Sequence, residues 1–287
     1  MALAFAVVFA VMEMLSAVQM PAIIATIMKQ VFIQKAPLHM ETVQQFMLTI
    51  GSILLLTVLC IVVFAITYGT VLKKLKEHHD TNTMTVPKRW LAICPRLMGR
   101  TLKGVFFSIL MGLIPVLIVT VGIAVLVMFV GMAPYTMIIT IVMLTLLIIL
   151  LCLPLVFVFM KYVLNSGKSY FSLLPGTFAI GMRHWGHIFT AVLIGGLVVG
   201  MIIVVFSLPA AILSQAHYAS QEGFLNGDIL GMPDYITTLS FITYFLTGFG
   251  LVYLFLPMLM ITYYLYGSIE TYEQEKNKLR YEENIIS

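Results

Sequence analysis

The sequence is short of charge. Of 287 residues, 16 are Lys or Arg and 12 are Asp or Glu, together 10% of the chain. Soluble domains average about 25%. A soluble fold of this length needs polar side chains to cover it, so the shortage excludes a soluble globular enzyme. The net charge of +4 is small, and no nucleic acid is expected as a partner. Cysteine is scarce too. Cys60, Cys94 and Cys152 show no paired or metal-ligand spacing, which excludes a disulfide scaffold. They read as free thiols filling apolar space. What the chain has in plenty is apolar residues, 61% of the total, with a mean hydropathy of +1.05. That balance excludes a disordered chain and points to lipid as the solvent.

A membrane-crossing helix needs about 20 mostly apolar residues. Six stretches qualify, at 2–28, 46–72, 104–130, 136–160, 188–213 and 236–266. Lipid gives the backbone no hydrogen-bond partners, so such runs are helices or closed barrel strands. Barrel strands alternate apolar with polar residues, and the run from Thr136 to Met160 is apolar on every face. The expected fold is therefore all-α, a polytopic bundle of six transmembrane helices over 1–267 with a charged helical tail over 268–287. The first run has no basic residue ahead of it, and apolar residues resume after Glu13. It reads as a retained helix and not as a cleaved signal.

The few charges are sided. Fourteen of the 16 basic residues lie in the connections 73–103 and 161–187 and in the tail, leaving Lys29 and Lys35 for the other face. By the positive-inside rule this sets both termini in the cytoplasm. Two of the basic connections read as amphipathic helices lying at the interface, one ahead of the third span and one ahead of the fifth. They carry the only two tryptophans, in Lys88-Arg89-Trp90 and Arg183-His184-Trp185. Trp favours the headgroup level and basic residues favour anionic phosphates. Lys88, Arg89, Trp90, Arg96, Arg100, Arg183 and Trp185 are therefore the expected contacts to anionic membrane lipids. A polar loop with an incidental Trp is the plainer reading.

A repeat is visible in the spans. Pro21, Pro115 and Pro209 are each 94 residues apart, and each is followed five residues later by a hydroxyl: Thr26, Thr120 and Ser214. Tyr68 and Tyr162 share the same spacing, and Tyr266 follows with ten residues extra. The pattern predicts three tandem helical hairpins, each preceded by an interfacial helix. The first hairpin has none, so the repeat predicts further residues upstream of Met1. Pro154 and Pro257 add two more intramembrane prolines. Prolines bend membrane helices and free a carbonyl, and they also occur there without any such role.

Groups able to do chemistry are few. Glu13 is the one acid well inside a run, and Gln19 follows six residues later. A charge at mid-bilayer costs about 2.5–3.5 kcal/mol on insertion scales, so Glu13 faces protein or water or is protonated. Its functional reading is a proton or cation site; its plain reading is a shallower position in a truncated helix, or a structural hydrogen bond. His184 and His187 are three apart and His78 and His79 adjacent, but neither pair has a third ligand in sequence, and no metal site or cofactor is expected. No HExxH, GxSxG or phosphate-binding glycine loop is present. Gly196 and Gly200 form a GxxxG packing pair, and Asn226-Gly227-Asp228 reads as a turn in a polar outer loop at 214–235. The tail Glu270–Glu283 reads as a solvated helix, or as a docking site for a protein partner.

The connection Ser169–His187 leading into a helix with Pro209, the Gly227-Asp228 and Pro233 loop, and the closing Pro257 and Tyr266-Gly267-Ser268 resemble uncharacterised six-helix integral membrane proteins of bacteria. They are loosely similar to the membrane domain attached to some glycerophosphodiester phosphodiesterases. The resemblance covers most of the chain and implies the bacterial cytoplasmic (inner) membrane. It does not imply phosphodiesterase activity, which needs a separate barrel of about 250 residues. The expected function is a non-enzymatic helical scaffold or accessory protein contacting lipid or protein partners. The alternatives are a small transporter or permease using the proline-bearing helices and Glu13, and a lipid-acting membrane enzyme centred on Arg183, His184 and His187.

Overall fold

The structure is a computed structural model that describes residues 1–35, 37, 39–81, 95–130, 134–165, 167–227 and 232–286. Among these residues the regular structure is entirely helical, with no strand. The first apolar segment is α1 (Ala2–Met14), a π-helical turn Leu15–Gln19, α2 (Met20–Met28) and a second π-helical turn Lys29–Ile33. Then come α3 (Met40–Thr81), α4 (Pro95–Val130), α5 (Pro134–Leu164), α6 (Tyr170–Arg183), α7 (Trp185–Leu225), α8 (Asp234–Leu254) and α9 (Leu256–Ile286). Five helices are long and apolar enough to cross a membrane: Ala2–Phe32, Met40–His78, Gly99–Gly122, Trp185–Leu225 and Tyr235–Leu279.

The helices overrun the apolar runs that predict them. An apolar run marks the hydrocarbon core, about 20 residues, and helix propensity carries the chain beyond it. The 41 residues of α7 span about 60 Å. So the outer loop expected at 214–235 is shorter: α7 continues to Leu225, and the chain turns only at Asn226-Gly227, where Gly227 takes φ +93°. The interfacial helix expected ahead of the third span is not separate over 95–103, which is the first part of α4; residues 86–94 lie outside the described ones. Ahead of α7, where the second interfacial helix was expected, α6 is a helix of its own. Ser169 caps it, its hydroxyl accepting from the Ser172 N–H at 3.4 Å, and it ends at His184 (φ −100°, ψ 21°).

The prolines act in two ways. Pro115, Pro154 and Pro209 sit inside continuous helices. Pro21 follows the first π-helical turn, in which the Met20 N–H reaches back five residues to Leu15. Pro257 follows a break at Phe255 between α8 and α9. Lacking an N–H, each leaves a carbonyl one turn earlier without its usual partner, and membrane helices absorb this by local adjustment.

The chain forms two compact units. Unit 1 is 1–67 with 198–257, and unit 2 is 68–197 with 258–287. In unit 1, Phe5, Cys60 and Val252 form one buried cluster, and Ala10, Ala17 and Tyr244 another. Small side chains let α1 lie close to α8: Ala6 and Ala10 are fully buried, and a Cβ on Gly248 would lie 2.8 Å from the Phe9 ring. In unit 2, Leu72, Val158, Val163, Tyr162, Tyr170 and Leu259 share one core, with Tyr68 and Tyr266 packed against it. The three tyrosines of the 94-residue pattern thus meet in one cluster. A second core holds Leu153, Phe157, Ile188 and Ile269.

Candidate functional site

The polar groups gather in two places, one in each unit. In unit 1 they lie on α1, α7 and α8. Glu13 is half-buried on α1, between the buried Ala10 and Ala17, and its backbone carbonyl accepts from the Ser16 hydroxyl at 3.2 Å. Its side chain is an electrostatic neighbour of the Cys60 thiol and the Tyr244 phenol. Gln19, the other candidate polar group of this segment, is exposed on the π-helical turn, so the two are not brought together. A π-helical turn redirects the side chains that follow it and recurs at functional sites.

Two hydrogen-bonded pairs link α7 to α8. Ser214 Oγ and Tyr244 Oη are 3.0 Å apart, and His217 Nε2 and Ser240 Oγ are 2.9 Å apart. Tyr244 and Ser240 are fully buried and His217 is 6% exposed. Ser214 and His217 are three apart, Ser240 and Tyr244 four apart, so both pairs lie on the same facing surfaces one turn from each other. Sequence reasoning singled out Ser214 only as a repeat position and passed over the others. The available signal was polar residues at three- and four-residue spacing on otherwise apolar helices.

The repeat hydroxyls make equivalent bonds. Thr26 donates to the Ala22 carbonyl at 2.9 Å, Thr120 to Val116 at 2.8 Å and Ser214 to Ala210 at 3.0 Å. Each acceptor is the residue after the proline. Thr67, Thr190 and Ser207 make the same bond with no proline one residue before the acceptor, so it is the general habit of a membrane-helix hydroxyl.

In unit 2 the groups are charged and gather at the ends of α5 and α6, with acids from the middle of α9. Arg100 on α4 closes the end of α5: its Nε donates to the Tyr162 carbonyl at 2.6 Å and one Nη to the carbonyls of Asn165 and Lys168 at 2.5 and 2.7 Å. Its guanidinium also lies over the Tyr162 ring, 4.3 Å from the centroid. The Lys76 ammonium donates to the Leu164 carbonyl at 3.0 Å. Carbonyls at a helix C-terminus lack partners along the helix and carry partial negative charge, which is why cations collect there. Lys161 pairs with Glu270 on α9 at 3.0 Å, both side chains largely buried. Glu273, one turn on, takes His184 Nε2 at 2.8 Å and Arg183 at 3.3 Å, with the Tyr272 ring edge-on to the His184 imidazole.

The expected headgroup contacts are therefore differently occupied. Lys88, Arg89 and Trp90 lie outside the described residues. Arg96 is in the first turn of α4. Arg100 uses three donor contacts on backbone carbonyls, while Arg183 keeps its side chain 58% exposed. Trp185 begins α7, stacks on Phe189 at 5.2 Å and packs against the second core of unit 2. The Glu273–His184 contact orients an imidazole, but the same carboxylate also holds Arg183, and the arrangement is that of an ionic clasp at a helix break. Among the described residues no group of three His, Cys, Asp or Glu stands close enough to hold a metal ion. No protein family, curated protein or solved structure matches the chain.

Proposed function

We propose that this chain is a six-span integral protein of the bacterial cytoplasmic membrane, both termini inside, acting without catalysis as a helical scaffold or accessory subunit. Five spans come from the helices long and apolar enough to cross. The sixth is α5, 31 residues long and apolar up to Lys161. An even number agrees with the basic residues being confined to alternate connections. Three tandem hairpins would account for Tyr68, Tyr162 and Tyr266 sharing one core.

One observation carries the reading. The polar contacts of the two clusters run between side chains or to helix ends, while the span surfaces are left largely apolar and open. Buried residues make up only 6% of the most apolar stretch of Gly99–Gly122 and 28% of that of Tyr235–Leu279. Lipid or another protein covers the rest. Anionic headgroups are the partners of the basic segment with Lys88, Arg89 and Trp90, and the tail of α9 is the place for a protein partner.

The test is a photo-reactive residue at Leu279 or Tyr281, which are 61% and 70% exposed on the tail of α9. In the native membrane the reading expects a discrete protein adduct. Lipid adducts alone, at these and other outward positions, would contradict it. A second reading, a small permease, draws on the π-helical turn beside Glu13. Solute uptake by reconstituted vesicles that Glu13→Gln abolishes would select it over the scaffold.

A further inference from the structure

Among the described residues of unit 2, Lys76, Arg100, Lys103 and Lys168 gather around the end of α5 with no carboxylate paired to them. Arg100 holds the carbonyls of Tyr162, Asn165 and Lys168, and Lys76 holds that of Leu164. Carbonyls solvate a cation but do not cancel its charge. Lys103, one turn after Arg100 on α4, is exposed, and so is Lys168. Glu77, next to Lys76, is taken by Lys74 at 2.7 Å, and Glu270 by Lys161 of α5 at 3.0 Å.

Beside these cations the surface turns aromatic. Phe107 lies seven residues after Arg100, on the same face of α4, and its ring meets that of Phe171 on α6 at 5.0 Å. From Arg100 to Phe107, two turns, α4 therefore runs alongside the segment 168–171. Phe106 and Phe171 are exposed. Below Phe106 the exposed Leu110, Leu113 and Leu117 continue at helical spacing into the span Gly99–Gly122, and Lys103 heads the same stripe. Positive charge above an apolar stripe on one helix matches the outline of an anionic phospholipid. A soluble anion would leave the stripe unused, and a zwitterionic lipid would leave the charge uncompensated.

We propose that the seam between α4 and the start of α6 binds one anionic phospholipid. Lys103 and Lys168 take its phosphate, and an acyl chain lies along Phe106 and Phe171. Arg100, its donors occupied, is the positioning residue that holds the segment ending at Lys168 beside α4. The proposal deepens the lipid-contact part of the proposed function and rests on the chain lying in a membrane. It does not rest on the scaffold role, nor on Lys88, Arg89 and Trp90.

The experiment is native mass spectrometry of the full chain in mild detergent, titrated with phosphatidylglycerol, phosphatidylethanolamine or inorganic phosphate. The wild type is expected to bind one phosphatidylglycerol more tightly than either of the others. Lys103→Gln with Lys168→Gln weakens that binding by about 30-fold. Lys103→Arg with Lys168→Arg keeps it, and so does Lys278→Gln, at an exposed lysine of the tail. Phe106→Ala narrows the advantage of a long-chain over a short-chain phosphatidylglycerol. Equal binding of the two lipids overturns the proposal. So does displacement of the lipid by an equal concentration of phosphate, which would mean a soluble-anion site, or binding indifferent to the double Gln substitution. No protein partner enters these readouts, so a failure here leaves the scaffold reading standing, and a failed photo-crosslink leaves this site standing.

Discussion

Unit 1 and unit 2 solve the same problem with different groups. Unit 1 ties helices with neutral donors and acceptors, Ser214 to Tyr244 and His217 to Ser240, beside small residues that let backbones approach. Unit 2 has a neutral pair of its own, Ser108 with Tyr170 at 3.1 Å, but its longer reaches are ionic: Arg100, Lys161 with Glu270, and Glu273 with His184 and Arg183. The difference follows position along the helices. Inside an apolar run a lone charge is expensive, so the economical contact is neutral and short. At helix ends, unsatisfied carbonyls attract cations, and those cations attract the acids of α9.

This contrast predicts unequal consequences of mutation. The largest effect is expected for Glu270→Ala, which leaves Lys161 charged, 17% exposed and unpaired. Such a loss destabilises by about 3 kcal/mol, while replacing both partners by Met and Leu restores most of it. Thermal unfolding in nanodiscs reads both; equal losses would remove the ionic side of the comparison. Next comes Gly248→Ala, whose new Cβ would press on Phe9. Overpacking of this kind costs about 1–3 kcal/mol, whereas Gly196→Ala meets nothing within 4 Å and should be near neutral. A loss of stability at Gly196 would show that a partner covers that face of α7. Tyr244→Phe removes one interhelical hydrogen bond and should cost about 0.6 kcal/mol. The smallest effect is expected for Arg183→Ala, since the side chain is 58% exposed and its pair with Glu273 is screened by solvent. Its change in stability should be about a few tenths of a kcal/mol at most and vanish at high salt.

How much of this was legible in the sequence depends on what a residue's neighbours are. Apolar runs reveal helices because a span must be apolar on every face, and α5 and α7 are legible that way. They do not reveal helix ends, because no Gly or Pro stops α7 between Ser214 and Leu225 except Gly223, which a helix tolerates. Glu13 stands out because a lone acid in an apolar run is costly. Its neighbours do not, because Tyr244 and Cys60 come from elements far away in the chain. Arg100 looks like a headgroup ligand, since a basic residue near a span fits that role by composition. Only the folded positions of the Tyr162, Asn165 and Lys168 carbonyls show that its donors have acceptors to hold.

The arrangement in the membrane is the claim on which the proposed function rests, and α5 decides it. Single cysteines at Glu41, Lys168, Ser220 and Asn277, with Cys60, Cys94 and Cys152 replaced, would be probed with an impermeant maleimide before and after permeabilisation. Six spans predict labelling of positions 41 and 220 in intact cells and of positions 168 and 277 only after permeabilisation. Labelling of 168 and 277 from outside, with 220 protected, would mean that α5 does not cross and would contradict the account.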